Sequence, residues 1–352
     1  MEGFGNHLEF AKHVSSRLTG HFRLFDIGCS GGLDANWRAL GEYLEAFGFD
    51  PNVEDIHRLR LEETLPDITY WPAFVVAPPE HPFRLLKQSQ PNIGRDPWAR
   101  FSVAETIAIQ ANATAQLSNE EKTIRNAWRD VPMADPAAPI LLSEFVEDHD
   151  ITSIDFIKMD VDGQDFEILN SVSDVIDPLH VLGFGLEINL IGSENITDHT
   201  FHNTDRFMRQ FKFDLFFLST RRYSNKHLPA RYLYSVPAQS VFGRPFQGDA
   251  LYLRDICAEY NQDFASRLTP EKKLNLAILY SLFSLPDCAA EILNVFEAEI
   301  TPLIDVRHAL DLLAAQAQDM TGIRGPTGEY MDYEEYMRRF RDNDPMFYGA
   351  AY

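Results

Sequence analysis

The sequence predicts an α/β protein: a doubly wound, mostly parallel sheet of Rossmann-like type with a helical extension at its carboxyl end. Three features carry that expectation. Short, nearly continuous apolar runs end on acids at Asp26, Asp50, Asp160 and Glu187, as strands buried on both faces do. Segments with apolar residues at helical spacing alternate with those runs, the pattern of βαβ units. Beyond Arg254 the strand-like runs cease and helical periodicity takes over.

In chain order, Leu8, Ala11 and Val14 stand at helical spacing and predict an amino-terminal helix within residues 1–20. Phe22, Leu24, Phe25 and Ile27 predict a first strand, closed by the small residues Gly28, Cys29, Ser30, Gly31 and Gly32. Such a turn lets a ligand approach the backbone closely. Trp37, Leu40, Leu44 and Phe47 recur at helical spacing and predict a helix after that turn. Phe47-Gly48-Phe49 then leads as a second strand into the turn Asp50-Pro51-Asn52. A helix from Val53 toward Pro66 follows, then strand material at Ile68–Trp71 and Phe74–Val76, and a hairpin strand over His81–Leu86. Residues 88–139 read as an inserted segment, a cap or a surface excursion, with helical pieces at Val103–Ala115 and Ser118–Trp128. Ser118 and Glu121 have the spacing of a capping box.

The run Ile154–Met159 predicts a strand that ends at Asp160, with Asp162 and Asp165 at the start of the next helix. Phe166, Leu169, Val172 and Ile176 give that helix its inner face. Val181–Glu187 and Phe213–Leu218 read as further strands, with a helix over His202–Phe211 between them and a last strand at Ala250–Leu253. Thr269-Pro270 and Thr301-Pro302 are helix starts with a capping Thr and Pro at the first position. The division expected is therefore a helix at 1–20, a ligand-binding domain over 21–255, a helical extension over 256–320 and a tail over 321–352.

Composition narrows the function. The chain has 352 residues, 45% hydrophobic and 12% aromatic, which describes an ordered globular protein. A net charge of −22 disfavours nonspecific binding to nucleic acid. No apolar run reaches membrane-spanning length, and the opening residues lack a signal-peptide pattern. The three cysteines form no CxxC pair and read as free thiols. A cytoplasmic protein is the expectation, with its oligomeric state open.

The glycine turn departs from the dinucleotide fingerprint, because Ser30 and Leu33 stand where later glycines are required. Asp26 at the start of the turn would repel a pyrophosphate but suits a ligand with an ammonium group, such as the amino-acid end of S-adenosylmethionine. Its carboxylate would face the amides of the following helix start. Asp50 is placed for ribose hydroxyls, a role shared by NAD and S-adenosylmethionine sites. A plain turn between a core strand and a helix is the remaining alternative.

Taken together, FDIGCSGG with GFDPN, SIDFIKMDVDGQDFEIL and GFGLEI resembles the FkbM-type S-adenosylmethionine-dependent methyltransferases, over about Phe22 to Arg254. The sequence departs from that family's pattern at Cys29-Ser30, and at Asp162 and Asp165, which keep the charge of the usual Glu. The resemblance implies methyl transfer to a hydroxyl of a small molecule or glycan: a sugar, glycan or secondary metabolite. It implies a cofactor site at Asp26, Gly28, Ser30, Gly32, Asp50, Pro51 and Asn52. Asp160 is the first candidate for general base, with Glu187 and Asn189 placing the acceptor and His202 as an alternative base. Mg²⁺ held by Asp160, Glu187 and Asn189 is a lesser alternative to simple helix capping. Arg221 and Arg222, with Tyr223, form a small basic patch that either receives an acidic or phosphorylated acceptor or, as the favoured reading, carries ordinary loop charges. The rival readings are an NAD- or nucleotide-sugar-dependent enzyme on the same sheet and a non-catalytic scaffold.

Overall fold

A computed structural model describes residues 8–89, 137–161, 163–231, 233 and 239–342. Among these, nine strands form one sheet. They are β1 (Phe22–Ile27), β2 (Leu44–Asp50), β3 (Ile68–Val75), β4 (Ala138–Ile140), β5 (Phe156–Met159), β6 (Gly183–Asn189), β7 (Asp214–Leu218), β8 (Arg221–Tyr223) and β9 (Arg244–Leu253). The spatial order is β4-β3-β2-β1-β5-β6-β9-β7, with β8 also on β9. Strands β1 to β6 pair in parallel, while β9 runs antiparallel to β6, β7 and β8. The chain winds outward in one direction from β1 and in the other from β5. The switch point between these two strands is where open α/β sheets bind ligands.

Alternation along the strands sorts the core into two faces. Phe25, Ile27, Phe47, Phe49, Ile157, Met159 and Phe184 join one apolar cluster. It is covered by α4 (Leu142–Asp148), by α5 (Asp165–Ser171) with the short α6 (Ser173–Ile176), and by α7 (Phe201–Gln210). Phe22, Leu24, Leu44, Ala46, Ile68 and Phe156 join the other. That face is covered by α1 (Glu9–Ser15), α2 (Val53–Glu62) and the carboxyl-terminal helices. The latter include α9 (Pro270–Leu282), α10 (Pro286–Val295) and α12 (Val306–Thr321), preceded by the single-turn α8 (Gln262–Ala265) and linked by α11 (Glu297–Ile300); α13 (Tyr333–Arg341) packs outside them. Leu274, Ala277 and Ile278 of α9 thus share one core with β1 and β2, and the carboxyl-terminal helices supply a full layer of the fold.

A buried polar cluster fastens that layer. Asp155, fully buried, accepts from the Arg23 amide at 2.7 Å, from Asn275 at 2.9 Å and from Lys272 at 2.8 Å. Asn275 in turn accepts from the Tyr43 hydroxyl at 2.8 Å. Burial lowers the Lys272 pKa, and Asp155 opposes that shift. At the far edge, the Arg254 guanidinium lies between the rings of Phe213 and Phe264, 4.2 and 4.1 Å from their centroids.

Three expectations of secondary structure are corrected. Thr301-Pro302 does not open a helix: Thr301 closes α11, and α12 starts at Val306 with Asp305 as its cap. No α-helix follows the glycine turn: residues Trp37–Tyr43 form 3₁₀ turns that kink at Gly41, whose φ is 58°. Leu44 and Phe47, read above as helix-face residues, lie on β2 and face opposite sides of the sheet. Trp37 and Leu40 of these turns share one core cluster with residues of α1 and α9. The segment His81–Leu86 is not a hairpin strand either. Pro82–Ser89 forms a helix, α3, with Pro82 as its first residue and Phe83 edge-on to Phe166 at 5.2 Å. The helical pieces expected at Val103–Ala115 and Ser118–Trp128 lie outside the described residues, as does Asp162. No described helix is long and apolar enough to cross a membrane.

Candidate active site

The site begins where β1 and β5 end side by side. Their backbones touch: the Asp160 amide donates to Ile27 O at 2.9 Å, and a Cβ built on Gly28 would stand 1.8 Å from Asp160 O. Gly28 also has a φ of +86°. Only glycine can hold this crossing. The amides of Gly28 and Cys29 donate to Phe49 O at 2.8 and 3.2 Å, which pins the turn to β2.

Lys158, in register with Asp26 across β1 and β5, reaches under the turn. Its Nζ donates to Asp26 Oδ1 at 2.9 Å and to Gly28 O at 3.1 Å. Asp26 is buried, and burial raises its pKa while Lys158 pulls it back. Burial lowers the Lys158 pKa, but Asp26 and Asp160 more than offset this and leave it raised. The place foreseen at Asp26 for a ligand's ammonium group is thus taken by Lys158 of the chain itself. The foreseen helix start for a ligand carboxylate is absent, because no α-helix follows the turn. The amide of Gly31 instead donates to Asp55 Oδ2 at 2.8 Å, and Ser30 Oγ lies 3.5 Å from that oxygen.

Asp50 is buried at the end of β2. Its Oδ1 accepts from the Asn52 amide at 2.8 Å, and Asn52 caps α2 by accepting from the Asp55 amide at 3.2 Å. Asp50-Pro51-Asn52 is thus a rigid strand-to-helix joint beside the glycine turn. Cys29, buried against Gly48, has its thiol pKa raised by burial and then by the charges of Asp26 and Asp50. This thiol stays protonated and is inert.

The second half of the site lies one strand over. Lys158, Asp160, Glu187, Arg221 and Asp249 line a cavity of about 560 Å³, together with Asp34, Ser219 and Thr220. Arg221 bonds both Glu187 and Asp249, and Asp249 also accepts from Ser219 Oγ at 2.9 Å. Burial raises the Asp160 pKa, with Asp165 and Asp249 adding to the shift and Lys158 and Arg221 opposing it. Burial and the charge of Asp160 push Glu187 up to about 7, against the pull of Arg221. Asp165 accepts from the amides of Val161 at 3.0 Å and Gly163 at 3.1 Å, which shapes the turn after Asp160.

Of the residues singled out in the sequence, Asp160 and Glu187 meet in this cavity. Asp26 joins them through Lys158. Asp50, Pro51 and Asn52 stand on the opposite side of the glycine turn. His202 lies at the start of α7 with Nε2 3.4 Å from Thr200 Oγ1, and it is not among the cavity's lining residues. His199 is the closer histidine: its Nε2 is 2.9 Å from Glu187 O and its Nδ1 is 3.6 Å from Asp165. Asn189 contacts His199 at 3.4 Å. Glu187 is held by Arg221 rather than left open for a shared Mg²⁺. Reading Arg221 as a loop charge is corrected: it sits in the cavity wall between two acids. Sequence gave no cue to this, since Glu187, Arg221 and Asp249 come from β6, β8 and β9.

A family model described as a methyltransferase FkbM domain matches residues 110–215. The match contains β5, β6, Asp160 and Glu187, and it leaves out the glycine turn. It supports a methyltransferase. No curated protein matches the chain.

Proposed function

We propose that the protein is an S-adenosylmethionine-dependent methyltransferase that acts on a hydroxyl of a small molecule or glycan. The observation that carries the reading is the set of acids around the β1–β5 switch point. Asp160 and Asp34 both raise the pKa of Asp26 there, with Lys158 the opposing cation. Such a crevice favours a ligand with ammonium and sulfonium charges and repels a diphosphate. Asp50 keeps one carboxylate oxygen for ribose hydroxyls beyond its bond to Asn52.

When bound, S-adenosylmethionine supplies a methyl group on a sulfonium, a good leaving group. The chain's residues then have two tasks. The cavity walls hold the acceptor oxygen in line with the methyl carbon, and such alignment contributes on the order of several kcal/mol. With the bound cofactor supplying the methyl group and the leaving sulfur, Asp160 would take the proton of the acceptor hydroxyl. Its raised pKa makes it a better proton acceptor than an ordinary aspartate. Arg221 holds Glu187 beside it, and Glu187 orients the acceptor.

Thermal-shift titration with S-adenosylmethionine, S-adenosylhomocysteine and NAD tests the reading. Stabilisation by the two adenosyl ligands is expected, with loss of the effect in Asp50→Ala. Stabilisation by NAD alone would overturn it.

A further inference from the structure

We infer that the acceptor is amphipathic: its hydroxyl meets Asp160 at the cavity rim, and an apolar tail enters a slot over Gly185. The inference rests on the methyl-transfer reading above and adds the class of acceptor. The cavity changes character with depth. Its rim carries Asp160, Glu187, Arg221 and Asp249, at the carboxyl-end side of the sheet. Its apolar lining is Trp37, Phe156, Leu251, Leu282 and Phe283 of one core cluster, with the exposed ring of Phe217 beside them.

Phe156 begins β5, four residues before Asp160, so these two lining residues stand about 13 Å apart along the strand direction at the rise of a β-strand. The apolar end is aromatic. Trp37 and Phe156 have centroids 5.2 Å apart, Phe156 and Phe283 are 5.3 Å apart, and Trp37 meets Phe283 edge-on at 5.8 Å.

Gly185 makes the space. A Cβ there would lie 3.2 Å from the Phe156 ring, so any side chain at this position stands in the floor of the slot. The volume of about 560 Å³ lies within the range of pockets that enclose whole small molecules. A bare sugar would turn hydroxyls toward aromatic walls that cannot bond them, at a cost of about 1–3 kcal/mol each. Among the described residues that line the cavity, both cations are paired, Lys158 with Asp26 and Arg221 with Glu187 and Asp249, which disfavours an anionic acceptor. A neutral polar head with an aliphatic or aromatic tail satisfies both ends.

Methyl, hexyl and octyl β-glucosides, kept below their micelle concentrations, probe the slot by calorimetric titration into the protein with and without S-adenosylhomocysteine. The wild type should bind about fourfold more tightly for each methylene the slot covers. Gly185→Val and Phe217→Asp should each flatten that dependence. Equal affinity for the three glucosides in the wild type, or an unchanged dependence in either variant that circular dichroism shows to be folded, would overturn the inference. Chain-length dependence without any binding of S-adenosylhomocysteine would remove the cofactor reading and leave the slot standing.

Discussion

Replacing Lys158 by Met removes the ammonium 2.9 Å from Asp26 and 3.1 Å from the Gly28 carbonyl, while keeping a chain of similar length. Asp26, 3% exposed, is then a buried carboxylate without its cation. Breaking a fully buried pair costs about 3–5 kcal/mol. The Lys158 side chain is 36% exposed, so solvent screens part of that interaction, and a loss of about 2 kcal/mol is expected. The pH dependence has a definite sign. Burial already holds the Asp26 pKa above its ordinary value, and losing Lys158 raises it further. A carboxyl whose folded pKa is raised stabilises the fold below its unfolded pKa and loses that contribution as pH climbs through the folded value. The gap between wild type and Lys158→Met should therefore widen from acid toward neutral pH. Urea unfolding at about pH 5 and about pH 8 measures it, through midpoints at unchanged slope. Asp26→Asn in the same chain should recover most of the loss, because neither charge is then left alone. An equal gap at both pH values, or strictly additive effects of the two substitutions, would refute the pairing as the source.

Three further outcomes are expected. In Asp160→Asn, the Glu187 carboxyl should titrate below the wild-type value of about 7, because a like charge has gone; carbon-13 NMR of the carboxyl would show it, and an unmoved titration would separate the two acids. Asp155→Ala should cost about 3–5 kcal/mol in urea unfolding, since Lys272 is left buried without its carboxylate and Arg23 N and Asn275 lose their acceptor. Gly28→Ala should abolish cofactor binding and lower the thermal midpoint, because its Cβ would meet Asp160 O at 1.8 Å in a left-handed conformation; retention of wild-type binding would contradict the described crossing of β1 and β5.

The acids at the strand ends were legible because each closes an apolar run, and a polar residue ending a doubly buried strand marks the sheet's edge. Asp160 and Glu187 line one cavity, which neither Asp26 nor Asp50 lines. The helix expected after the glycine turn was not legible, because Leu44 and Phe47 satisfy both periods: three residues apart they share a helix face, yet on β2 they take opposite sides. What decided between the two was remote in the chain, since α1 and α9 already fill that face. The hairpin strand expected over His81–Leu86 took no account of Pro82, which fits the first position of a helix. The Glu187–Arg221–Asp249 group was hidden for another reason: β9 inserts antiparallel between β6 and β7, and no local pattern encodes that order. The slot over Gly185 follows from the same pairing, which sets Leu251 of β9 beside Gly185 and Phe217 of β7 beside Leu251.

The rate of methyl transfer in Asp160→Asn tests the central claim most directly. With methyl-labelled S-adenosylmethionine and a hydroxyl acceptor that the wild type turns over, single-turnover transfer should fall by about 10²–10⁴-fold, the usual contribution of a general base. Affinity for S-adenosylhomocysteine should stay within about twofold, well under the 1.4 kcal/mol of a tenfold change. Transfer at the full wild-type rate would show that Asp160 does not take the proton.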